Sequence, residues 1–403
     1  MKTGLVMSAT SQRTLISRRA AALMLGSCLV GIPKALASTD PLPPEIIARS
    51  QLSTGDFARL SNVFAKASRG EPITIGVIGG SITVGAFSTS PQNSYSGRLL
   101  AWWREQFPRC DIRLINAGLG GTGSMYGALR AQKDLLSHRP DFVVVEFAVN
   151  DNWTDGDAFE GLVRQILAQS NTPAVLLLFM MWEKGGNDQD MQAKVGLHYR
   201  LPMVSFRDAL WPEMAAGRLQ WFDYIIDNVH PTDAGHAAAA RFVTTMCDTA
   251  LNSASAGKRG ALNPLPPPLH TDAFQHVDWR DAVTLDPIEN QGWRRKFDEK
   301  DIPGWDGAGT RGQIAFDWSG SGVVAVFTTP PDDLRHIKFC IDGAAFRTLE
   351  TLEQPKRQLF VLAQNLAPGR HTVELRFSSN EAAVSATGPV RLLGLASIGA
   401  TAE

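Results

Sequence analysis

Four short segments of this chain carry residues that together could perform nucleophilic chemistry. An apolar run, 73–78, breaks into Gly79-Gly80-Ser81. A second run, 111–116, leads through Asn116 into Gly118-Leu119-Gly120-Gly121-Thr122. A third, 141–147, is followed by Val149-Asn150-Asp151, and far downstream stands Asp227-Asn228-Val229-His230-Pro231. A serine hydroxyl is a weak nucleophile until a neighbouring base takes its proton. His230 suits that task, and Asp227, in the same short segment, can fix the imidazole tautomer and stabilise the imidazolium that forms. Charge developing on an attacked carbonyl oxygen needs donors already aimed at it. The Ser81 N–H, the Gly121 N–H and the Asn150 side-chain amide would supply three. The chemistry expected is acyl transfer through an acyl-serine, with Ser81, Asp227 and His230 catalytic and no metal or organic cofactor.

Each segment also has a plainer reading. Gly79-Gly80-Ser81 can be a glycine turn with a serine helix cap, and Asn150-Asp151 a turn. Asp227 and His230 can form a loop ion pair or, with Asp233 and His236, a metal site, although metal ligands cluster more tightly than this. Gly118 or Gly120 is an alternative to Gly121 as the donor glycine. A rival motif also occurs: Gly118 to Gly123 spells G-x-G-x-x-G between a strand and a helix, the dinucleotide fingerprint. Its ribose-binding acid would have to be Asp141, which stands at the start of a strand and not at its end. That reading leaves Ser81, Asn150, Asp227 and His230 without a task. What favours the acyl-transfer reading is convergence, since separate loops have no structural need to bring these residue types to one rim.

The elements that must position these segments alternate. Helical spacing covers 56–67, 94–107, 124–137, 158–169, 190–199 and 233–251. Strands are expected at 73–78, 111–116, 141–147, 174–181 and 203–206, several of them apolar throughout. Alternating strands and helices with continuously apolar strands imply a parallel sheet covered on both faces. The fold class expected is α/β: a flavodoxin-like three-layer α/β/α sandwich with a five-stranded parallel sheet. In such sheets ligands bind at the carboxyl ends of the strands, where the four segments fall. Pro264-Leu265-Pro266-Pro267-Pro268 then reads as a stiff linker. Beyond it, short β-type runs at 313–318, 323–328, 336–341, 358–362, 372–377 and 390–396 suggest a C-terminal all-β sandwich. Asp342-Gly343 is a strong hairpin signal. Trp279, Trp293, Trp305 and Trp318 open that region; they could stack on sugar rings or simply fill the core or an interface.

The 403 residues carry a formal net charge of −1, so neither a polyanion partner nor nucleic acid is indicated. The first 37 residues read as a signal peptide. Arg13, Arg18 and Arg19 precede an apolar stretch at 20–32, too short to span a bilayer, and Ala35-Leu36-Ala37 supplies a small-x-small cleavage pattern. Ser17-Arg18-Arg19 hints at the twin-arginine route. Export to the periplasm or the medium is therefore expected, with no membrane-spanning segment after cleavage. Cys110, Cys247 and Cys340 would remain, an odd number, with Cys110 and Cys247 the pair to check. The domain boundaries expected are 1–37 signal peptide, 38–262 catalytic domain, 263–274 linker and 275–403 β-sandwich.

Taken in order, the four segments resemble the blocks of the SGNH (GDSL-type) hydrolase superfamily across about residues 70 to 250. Ser81 matches the block I serine, Gly121 the block II glycine, Asn150 block III, and Asp227 with His230 block V. The usual Gly-Asp-Ser is here Gly-Gly-Ser, a change outside the triad. The resemblance implies an ester hydrolase acting on carbohydrate O-acetyl groups, lipid esters or thioesters. Export and the appended β-sandwich favour an acetylated polysaccharide or oligosaccharide as the partner. Lipid ester hydrolysis, O-acetyl transfer between glycans and non-catalytic glycan binding or assembly are the alternatives. Trp153 and Trp182, after the third and fourth strands, are candidates to line the substrate pocket or to sit in the core.

Overall fold

The structure, a computed structural model, describes residues 42–151, 156–253, 261–297, 303–307, 311–328, 337–349, 357–378 and 390–399. The expected signal peptide lies outside them, as does Trp153. The α/β part contains strands β1 (Gln51–Ser53), β2 (Ile73–Gly79), β3 (Ile112–Gly118), β4 (Phe142–Glu146), β5 (Ala174–Phe179) and β6 (Met203–Ser205). Around them lie α1 (Pro44–Ser50), α2 (Ala58–Ser68), α3 (Ser81–Val84), α4 (Tyr95–Gln106), α5 (Ser124–Asp134), α6 (Asp157–Leu167), α7 (Gln189–His198), α8 (Phe206–Ala215), α9 (Trp221–Tyr224) and α10 (Asp233–Ser253).

The sheet order is β1-β6-β5-β4-β2-β3. The five expected strands run parallel in flavodoxin-like order. To them is added β1, a three-residue antiparallel edge on β6 that has no apolar alternation to announce it. The sheet is covered on both faces, and strand alternation shows how. Ile75, Val77, Val144, Leu176 and Leu178 enter one core with Leu60, Trp103, Leu210 and Phe242 from α2, α4, α8 and α10. Ile78, Val143, Val145, Leu177 and Phe179 enter the other with Leu129, Leu162 and Val195 from α5, α6 and α7.

The C-terminal part is all antiparallel. Its strands are β7 (Val277–Asp281), β8 (Glu289–Gln291), β9 (Trp293–Lys296), β10 (Gly304–Gly307), β11 (Arg311–Gly320), β12 (Gly322–Thr328), β13 (Ile337–Ile341), β14 (Arg347–Thr348), β15 (Gln358–Ala363), β16 (Gly369–Ser378) and β17 (Arg391–Ile398). Among the described residues one sheet runs β15-β12-β17-β10-β9, with β7 also on β17, and the other β14-β13-β16-β11-β8. Asp342 and Gly343 both have positive φ, 51° and 72°, and Ala344 N–H bonds Ile341 O across the turn, as a primed hairpin turn requires.

This sandwich is packed onto the α/β part. In β12, Val323, Ala325 and Phe327 point into the sandwich core, while Val324 and Val326 join the core of α5 and α6. In β17, Leu392 and Leu395 face one way, Leu393, Ala396 and Ile398 the other. One sheet is thus buried on both faces. The proline-rich segment is pinned to the same helices. Arg164 donates to Pro266 O and His198 Nε2 lies 2.8 Å from Pro267 O. The buried Glu160 carboxylate accepts the amides of Leu269, His270 and Thr271 and the Tyr199 hydroxyl. Trp293, Trp305 and Trp318 are buried in the sandwich core, and Trp279 meets Tyr126 edge-on at the junction with α5. Cys110, Cys247 and Cys340 are buried and unpaired, so no Cys110–Cys247 bond forms.

Candidate active site

The apolar strand β2 ends at Gly79, and the chain turns at once into the single helical turn α3, whose first residue is Ser81. Ser81 Oγ lies 2.8 Å from His230 Nε2. On the other side of the ring, His230 Nδ1 lies 2.7 Å from Asp227 Oδ2. The short segment holding both is self-organising. Asp227 Oδ1 accepts the Val229 and His230 amides at 2.8 and 2.7 Å, Ile226 N–H bonds His230 O, and Trp221 Nε1 donates to Asp227 O at 2.7 Å. Burial pushes the Asp227 carboxyl up, but these amides and the imidazole outweigh it and hold it below its ordinary value. An ionised carboxylate on Nδ1 leaves Nε2 as the acceptor facing the serine hydroxyl, which is the tautomer a general base needs.

Gly121 and Asn150 lie on the same rim. Leu119 N–H bonds Gly79 O at 3.0 Å and draws the second segment over the turn that carries Ser81. A Cβ placed on Gly120 would stand 3.7 Å from Ser81 Cβ, while Gly121 turns left-handed at φ 68° with open space around it. Asn150 sits against the residue before the serine: a Cβ on Gly80 would come within 2.2 Å of its Oδ1. Here the amide of Asn150 occupies the room that an aspartate at position 80 would need.

Three residues to which the sequence reading gave no part in the site build the floor. Glu146, fully buried at the end of β4, accepts the Thr83 hydroxyl at 2.9 Å, and Thr83 Oγ1 also lies 2.9 Å from Tyr95 Oη. Burial pushes Glu146 up to about 8, against the opposing pull of Thr83 and the Gly80 and Thr83 amides. Asp151, also buried, accepts the Ser124 amide at the start of α5 and the Gln192 side chain; burial pushes it up to about 7. Arg130 on α5 donates to Ala117 O at 2.6 Å and Gly79 O at 3.3 Å, tying the ends of β3 and β2 together. A glutamate inside an otherwise apolar strand was the one sequence signal for the first of these.

Other candidates are engaged elsewhere. Asp141 binds Lys66 and the Thr74 amide at the opposite end of the sheet, away from Gly118–Gly123. Asp233 accepts the Thr89 amide and hydroxyl, and buried His236 faces Ala86 O and the Tyr95 amide. Trp182 is half-buried against Gly186, and the next residue, Glu183, donates its N–H to Asn228 O at 2.7 Å, so this loop braces the histidine segment.

Residues 77–238 match the GDSL-like Lipase/Acylhydrolase family. A solved two-domain esterase active on acetylated mannans aligns with TM-score 0.79 and 29% identity, covering 89% of this chain and 99% of that one. The same description applies to a structure co-crystallized with mannopentaose, at TM-score 0.77 and 28% identity with the same coverage. An acetylxylan esterase of Geobacillus stearothermophilus is 21% identical over 163 residues, 34% of this chain and 72% of that protein. The match of residues 77–238 to that family and the likeness to a two-domain esterase over 89% of the chain make this protein an esterase, with a GDSL-like (SGNH-type) α/β domain and a C-terminal β-rich domain.

Proposed function

We propose that this esterase removes O-acetyl groups from a polysaccharide through an acyl-serine intermediate. His230 takes the proton of Ser81 as its Oγ attacks the acetyl carbonyl, and Asp227 stabilises the imidazolium. The Ser81 and Gly121 amides and the Asn150 side chain hold the oxyanion. Collapse of the tetrahedral intermediate returns the proton from His230 to the leaving sugar oxygen. Water, deprotonated by the same imidazole, then releases acetate and restores Ser81. The observation that carries this reading is the unbroken relay of 2.8 and 2.7 Å from serine through histidine to aspartate. The carbohydrate substrate is supported by the likeness to an esterase active on acetylated mannans along the whole of that protein. We place the protein outside the cytoplasm, with 1–37 as its signal peptide, 38–262 as the catalytic domain, 263–274 as the connection and 275–403 as the β-domain.

The test is acetate release from acetylated mannan and acetylated xylan by the purified protein, beside Ser81→Ala. Release that vanishes in a folded Ser81→Ala variant is expected. A preference for long-chain 4-nitrophenyl esters would move the enzyme to lipid substrates. Serine-dependent transfer of acetyl to an added glycan without free acetate would make it a transferase.

A further inference from the structure

Phe87 follows the nucleophile turn and is more than half exposed, 55%. Its backbone is left-handed at φ 62°, a conformation that is a genuine outlier for a bulky side chain. Such strain persists only where the surroundings over-determine it, and here they do. On the near side, Ala86 N–H bonds Ser81 O and Ala86 O faces His236 Nε2. On the far side, Ser88 bonds Gly85 O through both its amide and its hydroxyl, and Thr89 is held by Asp233. Residues on both sides of Phe87 are clamped by α10, and its ring is presented outward. The ring centroid stands 5.2 Å from that of His230, at 47°.

That placement has a chemical meaning. The leaving oxygen must come within hydrogen-bond reach of His230 Nε2 to receive its proton. Whatever is attached to that oxygen therefore lies beside the imidazole, whose ring neighbours that of Phe87. We propose that Phe87 is a specificity-determining residue, the platform on which the sugar ring bearing the acetyl group rests while its oxygen departs. This inference rests on the carbohydrate reading above and adds to it where the leaving group is recognised. A flat apolar face suits the C–H face of a pyranose and gives nothing to a small alcohol that carries no ring.

The experiment compares kcat/KM for acetylated manno-oligosaccharides and for vinyl acetate in the wild type and in Phe87→Ala, Phe87→Leu and Phe87→Tyr. Circular dichroism and Tm check that each variant is folded. Loss of the aromatic face is expected to lower kcat/KM on the oligosaccharide roughly tenfold in the alanine and leucine variants, with vinyl acetate changed less than about twofold, while tyrosine retains both. Equal losses on the two substrates would overturn the platform and leave Phe87 as a support for His230. Unchanged oligosaccharide cleavage in Phe87→Ala would overturn it as well. A wild type active on vinyl acetate but inert on every acetylated glycan would instead bring down the carbohydrate reading, and the platform with it.

Discussion

The site pairs groups whose surroundings push them in opposite directions. Asp227 is held below its ordinary value by two amides and an imidazole, whereas burial drives Glu146 up to about 8 and Asp151 up to about 7. The signs give different pH windows. A depressed carboxyl stabilises the fold above its unfolded value near 4, and that contribution is lost as acid protonates it. A raised carboxyl stabilises the fold below its unfolded value, and that contribution is lost as pH rises to about 8. Glu146 faces the Thr83 hydroxyl, with Tyr95 behind it, and is repelled by Asp151. Glu146→Gln keeps a neutral group there, so its Tm is expected to fall less than that of the wild type between pH 6 and 9; thermal scans across that range check it. Equal slopes would mean that Glu146 is ionised throughout. Asn150→Ala should lower kcat on the order of 10²–10³ with little change in KM, because an oxyanion donor acts in the transition state; steady-state kinetics on a small acetate ester reads both. Ser81, Asn150, Asp227 and His230 were legible as candidates because each follows a strong apolar run or shares a short segment. The roles of Glu146 and Arg130 were not. A charge inside an apolar strand marked Glu146 as unusual, but the partners, Thr83 at 63 residues and Gly79 at 51, are distant in the chain and nothing local announces them.

At the scale of elements, the parallel strands were legible because burial on both faces forces continuous apolar runs, as in 142–145 and Ala174–Phe179. The edge strand β1 was not, since three residues of mixed exposure carry no period. The same physics was present in the β-domain and went unread. Val323 to Phe327 is apolar at every position, the mark of a strand buried on both faces even in an antiparallel sheet. The proline-rich segment was expected as a spacer, and proline does stiffen it, but its fixing comes from Glu160 in α6. That buried carboxylate collects three part-buried amides and the buried Tyr199 hydroxyl. Removing it leaves the hydroxyl without this acceptor and the amides to be paired with water, at a loss of about 1–3 kcal/mol for a donor left buried and unpaired. Glu160→Ala should therefore destabilise the protein by about 1–3 kcal/mol, read as a lower urea midpoint, while kcat of the protein that remains folded is unchanged. A midpoint within error of the wild type would show that solvent reaches the hydroxyl as well.

At the scale of the molecule, residues 37–403 form one compact unit. The core of α5 and α6 is completed by Phe274 from the connecting segment and by Val324, Val326, Leu393, Ala396 and Ile398 from the β-domain. Ending the chain after Leu262 would strip that layer, including Phe274 where it lies against Gly161 and Gln165, and open the shared apolar core to water. The truncated protein is expected to aggregate or unfold, and the intact one to melt in a single calorimetric transition; a soluble, active fragment ending at Leu262 would refute this. Two topological domains would then be one thermodynamic body. This limits how such a protein can change its diet. A recognition module joined through a tether can be exchanged by recombination without loss of the catalyst. A sheet that seals its neighbour's interior cannot, because any replacement must bring the same apolar face at the same spacing. New substrates are therefore within reach mainly through the loops on the rim, such as the clamped turn that carries Phe87, and the β-domain is bound to the lineage of its enzyme.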